Sequence, residues 1–420
     1  MFLKKKLGKL GLVFLGLAVL GACFWGIKDL KPKDKNTAFL LEVYDTVKAN
    51  YWNEKIETEL LDYFKVGTEK LASQIVTQPP KDRKGLEKML SRALKTIKDE
   101  PRKKEFTVTL ADAVLATLPP SGRSRLYSQK QETDLKNDVN NVNPAENLYQ
   151  NLGIAKDASP EKVTKAYDEK VKSLEKANTP EAKDQLAKVN KAYQTLADPI
   201  SRQNYDQAGI QTTLEAKLIK PNIFYLHLVQ FSPTTMDDLI RVTEKVDQGT
   251  TLDTLIFDLR DNIGGAIDGL PYFLGPFLGN DTYAYQFYHR GEKTDYKTKT
   301  GWLKSLVRYK KVIILINNQT QSSAEVMVSV LKKYNVGVLV GTKTKGWGTV
   351  EKVFEMKNQL DKSEKYSIFL VHSLTLKEDG TPIEGNGVEP NIDITGNNWE
   401  RELYKRFNSQ EIVNAVKEAL

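Results

Sequence analysis

The stretch Lys311 to Glu351, KVIILINNQTQSSAEVMVSVLKKYNVGVLVGTKTKGWGTVE, constrains the fold more than any other part of the chain. Val312 to Ile316 is an unbroken β-branched and aliphatic run of strand length, which reads as a buried strand. Asn317-Asn318-Gln319 supplies turn chemistry. Ser322-Ser323-Ala324-Glu325 then opens a helix with a serine followed three residues later by a carboxylate, and Val326, Val330 and Leu331 fall on one helical face. A second strand and a glycine-rich loop complete the unit. Together with the upstream strand Thr254 to Leu259, this alternation of strands and helices implies an α/β core.

The serine at the strand-to-helix turn has two readings. As an N-cap, its oxygen accepts a backbone N–H that the first helical turn leaves unpaired. As a nucleophile, it is exposed by the turn, while the N–H groups of the helix N-terminus face a developing oxyanion. Arg260-Asp261-Asn262-Ile263-Gly264-Gly265 is a loop whose glycines let backbone approach a ligand closely, or a tight strand-to-helix turn. Ile267 to Leu278 reads as an apolar helix interrupted by Pro271 and Pro276.

These residues carry a resemblance. Thr320-Gln321-Ser322-Ser323-Ala324-Glu325 resembles the nucleophile turn of the S41 serine peptidases, the carboxyl-terminal processing peptidases. Ile223 to Gly265, with IFYLHLVQF and TLIFDLRDNIGG, is similar to the same family. So is Gly385-Asn386-Gly387-Val388-Glu389-Pro390-Asn391-Ile392, with Asn391 where an aspartate is usual. The resemblance implies a ClpP/crotonase-like core of repeated ββα units over residues 220–396, with Ser322 as nucleophile. It also implies an oxyanion hole from the N–H groups of Gly264 or Gly265 and of Ser323. Such an enzyme attacks a peptide carbonyl and passes through an acyl-enzyme.

The sequence departs from the family at the general base. The family's lysine follows the serine in a T-x-G-K-G loop, and here Thr344-Lys345-Gly346-Trp347-Gly348 puts Trp347 in its place. An indole N–H donates a hydrogen bond but takes up no proton at neutral pH. Glu351 stands where the family often has a glutamine that orients the lysine. Lys345 and Lys343 share a face with Trp347 if the segment is extended, so Lys345 is the candidate substitute base, provided burial lowers its pKa. His227, His289 and His372 are the histidines of the chain, and a distant one facing Ser322 is a further arrangement.

The net charge of +8 is concentrated at the amino terminus. Residues 1–36 hold eight lysines and two aspartates, a net +6, leaving +2 for the rest, so no broad phosphate-binding surface and no nucleic-acid partner are indicated. The lysines flank Leu10 to Ile27, an uncharged apolar run of roughly 27 Å as a helix, close to a bilayer's hydrocarbon thickness. With Lys4, Lys5, Lys6 and Lys9 kept inside, the run reads as a signal anchor in a bacterial cell membrane that sends the bulk of the chain out of the cytoplasm. Leu20-Gly21-Ala22-Cys23 also resembles a lipoprotein processing site. Cys23 is the single cysteine, so no intramolecular disulfide can form. No cofactor and no metal site are read from the sequence.

Residues 37–128 read as a helical segment and the polar residues 129–146 as a linker. Residues 147–210 read as a small all-α unit, with Ser159-Pro160 and Thr179-Pro180 each opening a helix of an antiparallel hairpin. This unit resembles a J domain through Leu148 to Ile154, Ala166-Tyr167, Ala192 to Leu196 and Asp198 to Asp206. Glu175-Lys176-Ala177 stands where that family has His-Pro-Asp, so the resemblance implies no working partnership with an Hsp70. The unit stands where many S41 peptidases carry a PDZ module, and it is either a binding hairpin or a spacer. Residues 397–420 read as a C-terminal helix.

Two functions follow as expectations. One is an exported, membrane-anchored S41-type serine peptidase acting on proteins or peptides. The other is an inactive peptidase-fold binding or scaffold protein, because Trp347 holds the base position.

Overall fold

The computed structural model describes residues 34–73, 76–177, 179–246 and 251–420. The apolar run 10–27 and Cys23 lie outside the described residues. Among the described residues no helix is long and apolar enough to cross a membrane.

Four helices come first: α1 (Lys35–Asn50), α2 (Glu57–Ala72), α3 (Arg83–Thr96) and α4 (Glu100–Thr117). Strand β1 (Arg125–Ser128) and helix α5 (Gln129–Val139) follow. The helical insert comprises α6 (Leu148–Leu152), α7 (Pro160–Ala177), α8 (Pro180–Leu196) and α9 (Pro199–Ala208). The remainder begins with β2 (Leu214–Lys220), β3 (Ile223–Leu228), α10 (Thr235–Val246), β4 (Thr254–Asp258) and α11 (Leu270–Leu278). It continues with β5 (Tyr283–His289), β6 (Glu292–Lys297), α12 (Lys304–Val307), β7 (Lys311–Ile316), α13 (Ser323–Lys333) and β8 (Val338–Gly341). It closes with β9 (Thr349–Glu355), β10 (Tyr366–Leu376), β11 (Ile392–Asp393), α14 (Trp399–Phe407) and α15 (Gln410–Ala419).

The main sheet runs in the order β11-β8-β7-β4-β3-β2, parallel except for the antiparallel edge strand β2. Side chains alternate between its two faces, as the period of a strand demands. Phe224, Leu226, Leu255, Phe257, Ile314 and Ile316 pack with residues of α11 and α13 on one face. Ile223, Tyr225, Ile256, Ile313 and Leu315 pack with Leu403, Ile412, Val413 and Val416 of α14 and α15 on the other. Both faces being covered explains why these strands read as unbroken apolar runs. The expected single C-terminal helix is two, because Asn408 adopts a left-handed conformation and the Ser409 side chain then caps α15.

A second, antiparallel sheet has the order β1-β10-β5-β6, with β9 on the other edge of β10. Strand β1 pairs with β10 from Arg125↔Phe369 to Ser128↔Tyr366. Phe39, Leu40, Tyr44, Phe64 and Leu110 of the N-terminal helices share one apolar core with Ile368, Leu370 and Val371 of β10. The helical segment 37–128 is therefore packed as one body with the second sheet.

The expected linker 129–146 is helical over Gln129–Val139. Ser128 and Gln131 form a capping box, Lys136 and Glu132 pair at 2.8 Å, and Ser367 on β10 donates to Glu132 at 2.9 Å. The helix buries no residue, so its sequence has no apolar stripe to betray it.

The insert closes its own small core from Leu148, Leu152, Val163, Val189, Ala192 and Leu196. Tyr167 and Tyr193 stack across the hairpin with ring centroids 4.0 Å apart. Glu175-Lys176-Ala177 form the last turn of α7. The insert is docked on α10: Arg241 bonds to Asp198 at 3.1 Å, to Ser201 at 2.7 Å and to the buried Asp238 at 2.7 Å.

Candidate active site

Ser322 sits between β7 and α13 with φ +57° and ψ −127°, a conformation that costs a non-glycine residue about 1–3 kcal/mol. Two neighbours hold it there. Glu325 accepts the Ser322 N–H at 3.1 Å, and the Gly264 backbone lies against the serine side chain. A Cβ on Gly264 would stand 2.7 Å from Ser322 Cβ and 3.1 Å from its Oγ, and one on Gly265 would stand 2.1 Å from Phe231 O. Only glycine fits at either place.

The glycine loop and the serine turn are tied together. Gln321 N–H donates to Asn262 O at 3.0 Å, Thr320 Oγ1 to Leu259 O at 2.8 Å and Ser323 Oγ to Gly265 O at 3.0 Å. Buried Asn262 donates to Leu228 O at 2.7 Å and accepts the Gly264 N–H at 2.8 Å. The Gly264 N–H is thus engaged. Among the described residues the N–H groups of Gly265 and Ser323 have no hydrogen-bond partner, so of the two glycines Gly265 has the N–H free for a carbonyl oxygen.

Glu325 is the hub of the site. It is fully buried and accepts from Thr344 Oγ1 at 2.5 Å, Gly346 N–H at 2.6 Å, Trp347 N–H at 2.7 Å and Ser322 N–H. Burial pushes its pKa above the ordinary carboxylate value, against the pull of these donors. One oxygen, Oε2, bridges the backbones of Ser322 and Trp347. Position 347 is therefore held next to the serine turn.

The Trp347 side chain is fixed from several sides. The Arg123 guanidinium lies 3.5 Å from its ring centroid and pairs with Glu384 at 3.1 Å, while Glu384 also accepts the Gly348 N–H at 2.7 Å. The indole N–H reaches Glu351 at 3.5 Å, and Thr349 Oγ1 donates to the same carboxylate oxygen at 2.5 Å. Burial raises the pKa of Glu351 as well.

The expectation that Lys345 reaches Ser322 is not met. Its side chain is exposed, with Nζ 5.4 Å from the Trp347 ring centroid. Lys343 is also exposed and pairs with Glu389 at 2.8 Å. The segment is not an extended strand: Gly346 has φ +81°, and Glu325 draws the next two N–H groups inward, so the alternation of faces is lost.

The histidines lie elsewhere. His227 bonds to Arg260 O at 3.1 Å, and His289 and His372 stack on one another with centroids 4.0 Å apart. Among the described residues no lysine, histidine or carboxylate is hydrogen-bonded to the Ser322 hydroxyl.

Burial, then the charge of Lys352, then His289 hold His372 down at a pKa of about 3. Its folded pKa lies below its unfolded one, so this group's stabilising contribution is full above about pH 6.5 and is lost as the pH falls toward 3. The thermal midpoint should therefore drop between pH 6.5 and 4 in the native chain and drop less in His372→Asn. Parallel melting curves would sink the assignment.

Sequence reasoning placed Ser322, Ser323, Gly264, Gly265, Trp347 and Glu351 in one neighbourhood. It gave no role to Arg123, Asn262 or Glu384, and it read Glu325 only as a helix cap.

The chain is similar to known proteins in two regions. Residues 222–394 match the sequence model of peptidase family S41, and residues 147–206 match that of the DnaJ domain. A Staphylococcus epidermidis protein named "Probable CtpA-like serine protease" is 28% identical over 208 residues, which cover 48% of this chain and 40% of the relative. The chloroplastic carboxyl-terminal-processing peptidase 1 of Arabidopsis thaliana is 27% identical over 193 residues, covering 44% of this chain and 37% of that protein. The solved photosystem II D1 C-terminal processing protease shares 13% identity at a TM-score of 0.48, over 86% of this chain and 93% of that one. Over residues 222–394 the chain is thus similar to peptidase family S41 and to relatives named for carboxyl-terminal processing, and over residues 147–206 to the DnaJ domain. The aligned part spans about two-fifths of the length of the curated relatives.

Proposed function

We propose that this protein is a peptide-binding member of the S41 family whose acyl-transfer chemistry is disabled at the base. The observation that carries the reading is the Trp347 indole, stacked on Arg123 and bonded to Glu351, at the position where the family resemblance expects a lysine. Without a proton acceptor on its hydroxyl, serine is a weak nucleophile at neutral pH. The free N–H groups of Gly265 and Ser323 beside Ser322 support retention of carbonyl binding. We place the chain at a bacterial membrane, anchored through residues 10–27 or lipidated at Cys23, with the folded part outside the cytoplasm. The helical turn at Glu175-Lys176-Ala177 speaks against activation of an Hsp70 by the insert.

A specific observation favours the second reading, a working peptidase: the strained Ser322 backbone, which a mere helix cap does not need. Labelling with a serine-reactive fluorophosphonate, alongside casein digestion, separates the two. The native chain and Ser322→Ala are expected to be equally silent. Labelling and cleavage lost in Ser322→Ala would establish the peptidase instead.

A further inference from the structure

A groove of about 330 Å³ opens where the chain enters and leaves the DnaJ-type insert. Its lining includes Asp134, Asn137 and Asp138 of α5, Asn141 just beyond it, Gln230 after β3, and Ile263 of the glycine loop. Two of these residues adjoin the Ser322 site. Ile263 precedes Gly264, whose backbone lies against the serine, and Gln230 precedes Phe231, whose N–H bonds to Gly264 O at 2.8 Å.

The chemistry of the lining is selective. Asp134 and Asp138 are one helical turn apart, both exposed, and among the described residues neither has a cation within 4.0 Å. Like charges at this spacing weaken a helix, so α5 presents them to the groove against its own stability. Gln230 is 7% exposed; its amide N–H donates to Asp138 O, while among the described residues its Oε1 has no partner. An acceptor that lines an open groove without a protein donor is open to a donor from a ligand. Ile263 is 50% exposed, an apolar surface beside the acids.

An apolar wall, two unpaired carboxylates and a free carboxamide oxygen suit a long cationic side chain, whose stem packs on the apolar surface while its head reaches the acids. They also suit the N–H of a main chain. We propose that this groove binds an extended peptide segment bearing a lysine or arginine, and so sets which peptides reach the Ser322 cleft. The proposal rests on the peptide-binding reading above. It places recognition in the neck of the insert, which the start of α9, at Asp198 and Ser201, holds against α10 through Arg241.

The test uses the purified full chain carrying Ser322→Ala and three fluorescein-labelled glycine-serine peptides of about ten residues. One contains two lysines, one two glutamates and one neither, and fluorescence anisotropy reads binding at low and at high salt. The lysine peptide should bind about fivefold more tightly than the neutral one, lose that advantage at high salt, and lose it also in Asp134→Asn/Asp138→Asn. Binding of the neutral peptide should not change in the double variant, whose helix content circular dichroism would check. Equal binding of all three peptides, or a preference that survives the double variant, overturns this assignment and leaves the peptide-binding reading standing. Failure of every peptide to bind overturns both.

Discussion

Trp347→Lys is expected to gain Ser322-dependent fluorophosphonate labelling that the native chain lacks. The backbone at 347 is held to the serine turn by Glu325, through the Trp347 N–H at 2.7 Å and the Ser322 N–H at 3.1 Å, so a lysine there starts from a fixed position. Its ammonium would meet the surroundings the indole now occupies: Glu351 with its Thr349 donor on one side and the Arg123 guanidinium on the other. A neighbouring cation favours the neutral amine, and neutral amine is the form that takes the serine proton. General-base assistance of this kind contributes about 10²–10⁴-fold, so labelling should rise by at least about 10²-fold and vanish in Trp347→Lys/Ser322→Ala.

Arg123 supplies an internal check on that result. Removing it in Trp347→Lys/Arg123→Gln takes a like charge from the new lysine, raises its pKa and should move the pH midpoint of labelling upward. A folded Trp347→Lys that stays silent from pH 6 to 10 would show that the tryptophan is not what separates this site from activity. Labelling of the native chain equal to that of the variant would point to a base outside this cluster.

The parts of the site that were legible in the sequence are those whose signals are local. Val312 to Ile316 reads as a buried strand because both of its faces are covered, by α11 and α13 on one side and α14 and α15 on the other. The serine turn and the glycine pair read as backbone features because strained or close-packed backbone leaves a residue-type signature: a serine three before a carboxylate, two glycines in a row. Arg123 left none. It lies more than two hundred residues from Trp347 in the chain and meets it because β1 pairs with β10 and β10 with β9. No periodicity or motif encodes that encounter.

Two misreadings have the same physical origin. Lys345 shares a face with Trp347 only in extended backbone, whereas the contacts that shape residues 344–348 come from Glu325 and Glu384. Residues 129–146 read as a linker because polar composition on all sides removes the helical period. The helix there is held instead by its capping box and by one contact from Ser367 on the second sheet. In both places tertiary partners decide the conformation, and the local sequence carries little trace of them.

Glu325→Ala should cost the fold about 3–5 kcal/mol, the loss associated with breaking a buried and fully bonded charged network. The carboxylate is fully buried, and its removal strands the N–H groups of Ser322, Gly346 and Trp347, each worth about 1–3 kcal/mol when left buried without a partner. Thr344 Oγ1 would lose an acceptor while still taking the Val388 N–H at 2.7 Å, so the loop 344–348 should loosen before the sheet does. Glu325→Gln keeps one acceptor oxygen but turns an amide N–H₂ toward backbone donors, and should lie between the native chain and the alanine variant. Urea unfolding measures the size of the effect, and amide exchange at Gly346 and Trp347 measures its place. A loss under about 1 kcal/mol, the scale of a surface contact, would show that the turn at Ser322 holds its strained conformation without the buried acid.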